Sequence, residues 1–231
     1  MHAVVVAAGV GRRMQAATPK QYLRLAGRTV LEHAVAPLLA HPRVVRVVMV
    51  LAADDHRFQE LEMASDARVC TVTGGLTRSD SVIAGLDRLG DEAETCSVLV
   101  HDGARPCLPG GDIDRLLAAA GEQGALLAVP VRDTLKRADA RGRVATTVAR
   151  DGLWQALTPQ VFSLGALRAA LATYGADATD EAQAMERAGF APALVEGDAA
   201  NIKVTHPADL PLAASILTAR GDQLGRRAAE S

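Results

Sequence analysis

The chain has 231 residues, 49% of them hydrophobic, with 25 lysines and arginines against 27 aspartates and glutamates and a formal net charge of −2. That much apolar side chain builds one large or two small folded domains and excludes a disordered chain. The near-neutral balance, with a pI of about 6.3, argues against a molecule drawn as a whole onto nucleic acid or an anionic membrane, so an anionic ligand must be held by a local cluster.

In chain order, the first expected element is an apolar strand at residues 3–7, which runs into Ala7-Ala8-Gly9-Val10-Gly11-Arg12-Arg13-Met14 and then Pro19-Lys20-Gln21-Tyr22. Glycines after a strand let the backbone turn sharply and present its N–H groups to an anion. Arg13 and Lys20 add positive charge on either side, so the segment reads as a nucleoside triphosphate loop. Two common alternatives fit poorly. A dinucleotide fingerprint needs a third glycine where this chain has Met14, and nearby Glu32 is placed to cap a helix; a P-loop needs a Lys-Ser/Thr pair that is missing at Gly9 and Gly11.

Thr29 and Glu32 form a capping-box pattern ahead of a helix whose apolar face is Val30, Leu31, Ala34, Val35, Leu38 and Leu39. Further strands are expected at 44–51, 69–73, 98–101 and 126–131. Helices are expected from 79 or 80 to 89, at 112–120, 164–174 and 179–188, and from about 207 to 220. Alternation of short apolar runs with amphipathic segments is the pattern of βαβ units, and predicts an α/β fold with a mainly parallel sheet flanked by helices. The polar stretch 132–150, with Gly142 near its middle, interrupts this and reads either as a projecting β-arm or as a solvated loop. A two-stranded arm is marginal alone, so it would pack on something, most simply a second copy of the chain. Residues 221–231 are expected to fray.

Ligands of such sheets lie beyond the carboxyl ends of the strands. Asp102 and Gly103 follow the strand at 98–101; Asp102 is suited to a ribose hydroxyl or, through water, a magnesium ion, and equally to a turn pair with Arg105. His101 fits a turn or core position better than a catalytic one. Gly74-Gly75 enters the helix that carries Ser81, a place for a base edge or a phosphate, or simply a cap. Lys203 falls in a short apolar strand, Ala200 to Thr205, from which it either reaches solvent or meets an anion. Thr158 and Thr179 stand at expected helix starts, where capping is the simplest use. Cys70, Cys96 and Cys107 lack Cys-x-x-Cys spacing and read as free thiols of a reducing compartment. With no leader pattern and no apolar run approaching ~18 residues, a cytoplasmic protein is expected.

Taken in order, the glycine loop, Pro19-Lys20-Gln21-Tyr22, Gly74-Gly75 with Arg78-Ser79-Asp80-Ser81-Val82, His101-Asp102-Gly103-Ala104-Arg105-Pro106, Pro130-Val131-Arg132-Asp133-Thr134, Leu157-Thr158-Pro159-Gln160 and Asn201-Ile202-Lys203-Val204-Thr205 closely resemble the 2-C-methyl-D-erythritol 4-phosphate cytidylyltransferases. The resemblance, over roughly residues 3–217, implies a Rossmann-like nucleotidyltransferase fold, a single domain and a homodimer joined by the arm. It implies Mg²⁺-dependent transfer of CMP from CTP to 2-C-methyl-D-erythritol 4-phosphate, a step of non-mevalonate isoprenoid synthesis; the alternative is a relative acting on a pentitol phosphate such as ribitol 5-phosphate. On the matching positions, Ala7, Ala8, Gly9 and Gly11 would line the CTP site, Gly75 and Ser81 would lie near cytosine, and Asp102 and Gly103 near ribose. Arg13 and Lys20 would stabilise the transition state. Arg150 of a neighbouring subunit and Lys203 would orient the attacking phosphate, with Thr134, Thr158 and Thr179 helping to hold that substrate. Val6 and Leu76 depart from the family, which usually has proline and often an acidic residue there.

Overall fold

The computed structural model describes residues 1–9, 14 and 18–229, the stretch 222–229 by its backbone. Strand β1 (His2–Val6) leads by way of a 3-10 turn at Lys20–Tyr22 to a short hairpin, β2 (Arg24–Leu25) and β3 (Arg28–Thr29), and into α1 (Val30–Ala40). The capping box forms as its spacing predicts: Glu32 N donates to Thr29 Oγ1 at 3.1 Å and Thr29 N to Glu32 Oε2 at 2.7 Å, worth about 1 kcal/mol over an uncapped start. Next come β4 (Arg46–Leu51), β5 (Val69–Thr73), α2 (Arg78–Asp87), β6 (Ser97–Asp102), α3 (Gly110–Ala119) and β7 (Ala125–Pro130). Helix α2 starts at Arg78, ahead of the expected position, because Thr77 and Asp80 make a second capping box.

The arm is a separate two-stranded sheet of β8 (Leu135–Ala138) and β9 (Val144–Val148), turned near Gly142, whose φ of +73° suits a residue without a Cβ. It is followed by β10 (Trp154–Ser163), α4 (Leu164–Tyr174), α5 (Glu181–Arg187), β11 (Ala193–Glu196) and α6 (Asp209–Ala229). Helix α6 begins where the Asp209 carboxylate accepts from the N–H groups of Thr205 and His206, each at 2.7 Å. It continues through 221–229, where Gln223, Leu224, Arg226, Arg227 and the alanines favour helix.

The main sheet has the order β11-β7-β10-β6-β1-β4-β5. Strands β6, β1, β4 and β5 run parallel, β11 runs parallel to β7, and β10 lies antiparallel between β6 and β7. Successive side chains divide between the two faces. Val5, Val47, Met49 and Leu99 pack with Leu31, Val35, Leu38, Ile113 and Leu116 under α1 and α3; Val4, Val48, Val50, Val98 and Val100 pack with residues of α2 and α4 on the other face. Each such aliphatic side chain contributes about 1.5–3 kcal/mol by leaving water, which fixes the strand register against a one-residue slip.

Two further expectations change. Thr158 is not at a helix start but in the middle of β10, with Pro159 at a register shift between Ala156 and Gln160, where no ladder N–H is required. Residues 200–205 form no strand; the segment is held singly, with Val204 N donating to Ala104 O at 2.8 Å and Arg105 Nη1 donating to Asn201 O at 2.7 Å.

Candidate active site

A cavity of about 240 Å³ opens beyond the carboxyl ends of β1 and β6, where the topology of a parallel sheet leaves strand ends and loops facing a common space. Backbone from Ala7, Ala8 and Gly9 forms one wall. That wall is pinned: Ala7 N donates to Val50 O at 2.8 Å, and Gln21 Nε2, buried, donates to Ala7 O at 2.7 Å. Gly103 closes the floor in contact so close that a Cβ there would lie 2.8 Å from Leu31 Cδ1 and 3.2 Å from Ala7 Cβ. Opposite, Gly75 leads into α2 and donates its N–H to Ser81 Oγ at 3.2 Å, while that hydroxyl donates to Thr77 O at 3.0 Å.

Charge is concentrated on one carboxylate. Asp102, buried at the end of β6, accepts from Lys203 Nζ at 2.8 Å and from Arg78 Nε at 3.2 Å, with Arg105 Nε at 3.6 Å. Burial pushes its carboxyl up, but Arg78, Lys203 and Arg105 outweigh this and hold it well below the ordinary carboxylate range. Arg78 in turn gives Nη1 and Nη2 to Glu181 Oε1 and Oε2 at 2.5 and 3.0 Å. Lys20 Nζ donates to Val204 O at 2.8 Å, next in the chain to Lys203, whose own ammonium is held by Asp102. Among the described residues, three cations, Lys20, Lys203 and Arg78, reach the cavity lining against the single carboxylate of Asp102, an arrangement that attracts a polyanion.

His101 is a core residue, fully buried, its Nδ1 3.0 Å from Thr158 Oγ1. Burial lowers its pKa to about 4. Because the folded value lies below the unfolded one of about 6.5, the unfolded chain takes up this proton first and stability falls as pH drops through that window, by on the order of 3 kcal/mol in all. The fall in melting temperature between pH 7 and 4.5 is therefore expected to be smaller in His101→Asn than in the parent chain; equal falls in scanning calorimetry would remove this assignment.

Comparison with known proteins decides the family. Residues 1–219 match the family model described as IspD, 2-C-methyl-D-erythritol 4-phosphate cytidylyltransferase. This chain belongs to that cytidylyltransferase family. It is 53% identical to the curated 2-C-methyl-D-erythritol 4-phosphate cytidylyltransferase of Tolumonas auensis over 220 residues, covering 93% of this chain and 95% of the relative. The Escherichia coli O1:K1 protein of the same name is 53% identical over 222 residues, covering 94% and 93%. Among solved structures, a 4-diphosphocytidyl-2C-methyl-D-erythritol synthase superposes with a TM-score of 0.81 at 39% identity, covering 94% of this chain and 98% of its own. The cytidylyltransferase of Thermus thermophilus gives 0.75 at 33%, covering 93% and 97%.

For a cytidylyltransferase of this family, the fold gathers Ala7, Ala8, Gly9, Lys20, Gly75, Ser81, Asp102, Gly103 and Lys203 from five separate stretches of chain around one cavity. Gly11 and Arg13 lie outside the described residues. Thr158 is buried behind the cavity, its Oγ1 accepting from Asp102 N at 3.1 Å. Thr179 is exposed just ahead of α5, where Asp180 rather than Thr179 caps the helix. Thr134 and Arg150 are exposed on and beside the arm, Arg150 Nη1 donating to Arg132 O. Sequence reasoning assigned no role to Arg78, Gln21 or Glu181; Arg78 was visible as a cation at the start of α2, whereas nothing marked Glu181 as buried.

Proposed function

We propose that this chain transfers CMP from CTP to 2-C-methyl-D-erythritol 4-phosphate, giving 4-diphosphocytidyl-2-C-methyl-D-erythritol and pyrophosphate. The observation that carries the reading is that Lys20, Lys203 and Arg78 line the cavity with Asp102 at the strand ends, in a chain 53% identical to curated 2-C-methyl-D-erythritol 4-phosphate cytidylyltransferases. A phosphomonoester anion must approach the α-phosphorus of a triphosphate that repels it. The protein's task is to hold attacking and leaving oxygens in line and to spread positive charge over them. The acceptor phosphate, with a second pKa near 6, is already ionised at neutral pH, so no general base is needed.

In this reading the Ala7 to Gly9 backbone receives the triphosphate, Lys20 and Arg13 stabilise the charge that develops in the transition state, and Lys203 faces the acceptor. Asp102 and Gly103 receive the ribose, and Gly75 with Ser81 borders the base. Mg²⁺ fits as a companion of the nucleotide. Among the described residues no group of three or more His, Cys, Asp and Glu converges, and both oxygens of Asp102 are already engaged. CTP phosphates would hold the ion, with Asp102 reached through water, and the ion would supply charge neutralisation. Pyrophosphate release from CTP, measured with each acceptor and with or without Mg²⁺, tests the reading. Release with 2-C-methyl-D-erythritol 4-phosphate and Mg²⁺ is expected; release with ribitol 5-phosphate alone would reassign the acceptor.

The proposal includes a homodimer in which the arm reaches a neighbouring site. It is supported by a β8–β9 sheet that pairs with no other strand, by Val144 standing 66% exposed on it, and by an Arg150 that does not line its own chain's cavity. Mixing Lys20→Ala and Arg150→Ala subunits is expected to restore about a quarter of normal turnover after random reassortment, since one site of each mixed dimer is intact. No recovery in a refolded mixture would rule out donation across the interface. A cytoplasmic location is proposed with it, supported by three unpaired cysteines and by the lack, among the described residues, of a helix long and apolar enough to cross a membrane.

A further inference from the structure

Glu181 is a fully buried carboxylate that does not line the cavity, yet it is one side chain away from it. Its backbone is docked firmly. Buried Gln160 of β10 accepts from Ala182 N through Oε1 at 2.9 Å and donates through Nε2 to Asp180 Oδ2, also at 2.9 Å, so the first turn of α5 is tied to the sheet. From that base Glu181 takes both Nη atoms of Arg78, leaving Nε to meet Asp102 Oδ1 while Lys203 keeps Oδ2. An arginine with a free fork prefers two parallel bonds to a carboxylate. Released from Glu181, Arg78 would compete for both oxygens of Asp102 and displace the Lys203 ammonium. Stability does not require the charges, because a buried ion pair replaced by apolar side chains of similar volume is often no less stable.

We infer that Glu181 is a positioning residue for the transfer reaction: it orients Arg78, which shares Asp102 with Lys203 and so sets where the Lys203 ammonium stands in the cavity. The inference rests on the proposed function, and its test separates the two. Glu181→Gln, Glu181→Asp and the apolar pair Arg78→Met/Glu181→Met are compared with the parent chain for melting temperature, kcat and both KM values. Glu181→Gln is expected to lower kcat on the order of 10–100-fold, with the KM for CTP changed by less than about threefold. Glu181→Asp, which keeps the charge, recovers part of the loss. The apolar pair recovers the parent melting temperature but not its kcat.

Near-parent kcat in the folded apolar pair, or in Glu181→Gln, overturns the inference. If that pair fails to fold, equal kcat in Glu181→Gln and Glu181→Asp overturns it. A parent chain that releases no pyrophosphate with any acceptor counts against the proposed function instead. The side-chain NMR resonance of Lys203, assigned with Lys203→Arg, then replaces turnover for the same variants, and an unchanged resonance in Glu181→Gln overturns the inference.

Discussion

Lys20→Ala is expected to lower kcat by on the order of 10²–10³, the scale for removing one donor that acts on charge developing in the transition state. The ammonium sits at the cavity lining, anchored to the Val204 carbonyl, and in the proposed reaction it would face the leaving pyrophosphate. Lys20 is half-buried and its carbonyl partner can be reached by water once the ammonium is removed, so the fold should persist and the melting temperature should change little. Lysine is a compact charge on a flexible stem, and arginine a rigid fork. Lys20→Arg should therefore recover only part of the rate. Single-turnover pyrophosphate release measures the chemical step directly, and turnover within a few-fold of the parent chain would remove Lys20 from the transition state.

Asp102→Asn should cost about 3–5 kcal/mol of stability, because Arg78, Lys203 and Arg105 share this one carboxylate and Asn keeps its shape without its charge. For a chain of this size that is a fall in melting temperature of roughly 6–20 °C. The sign with pH is definite. The folded carboxyl lies below its unfolded value, so the stabilisation is complete above the unfolded pKa of about 3.9 and is lost as pH falls further. The deficit of Asp102→Asn is therefore full at pH 7 and shrinks in strong acid. A melting temperature within a degree or two of the parent at pH 7 would show that the three cations are screened by solvent rather than balanced by Asp102.

The parallel strands were legible because burial on both faces demands continuous apolar runs, as in Val4 to Val6 and Val98 to Val100. Strand β10 was hidden for the opposite reason. Its Thr158, Pro159 and Gln160 are poor strand markers, and they are tolerated in the sheet interior only because Thr158 meets Asp102 N and His101, and Gln160 meets Asp180 and Ala182. The Asn201 to Thr205 segment misled in the reverse sense: its alternation comes from packing of Val204 beneath α6, not from a ladder.

Within the site, Asp102 stood out as a charge at a strand end, the glycine turn with Lys20 as an anion-binding pattern, and Lys203 as a charge in an apolar run. Glu181 did not, since an acidic residue at the first turn of a helix is what capping alone would supply. Its burial depends on Arg78, 103 positions away in the chain, and no local pattern carries that information.

The ladder bond from Val131 N to Leu153 O, 2.9 Å long, bears on how this molecule can be rebuilt. Everything between those two residues leaves the main sheet and comes back at the same rung, so the arm is a cassette with coincident ends. Shortening it to a tight turn would leave all seven main strands paired, and exchanging it with that of a relative would leave the cavity beyond β1 and β6 unaltered. In the proposed dimer, donor and acceptor halves of the site would then diversify on separate schedules, one written into the sheet and the other into a detachable loop.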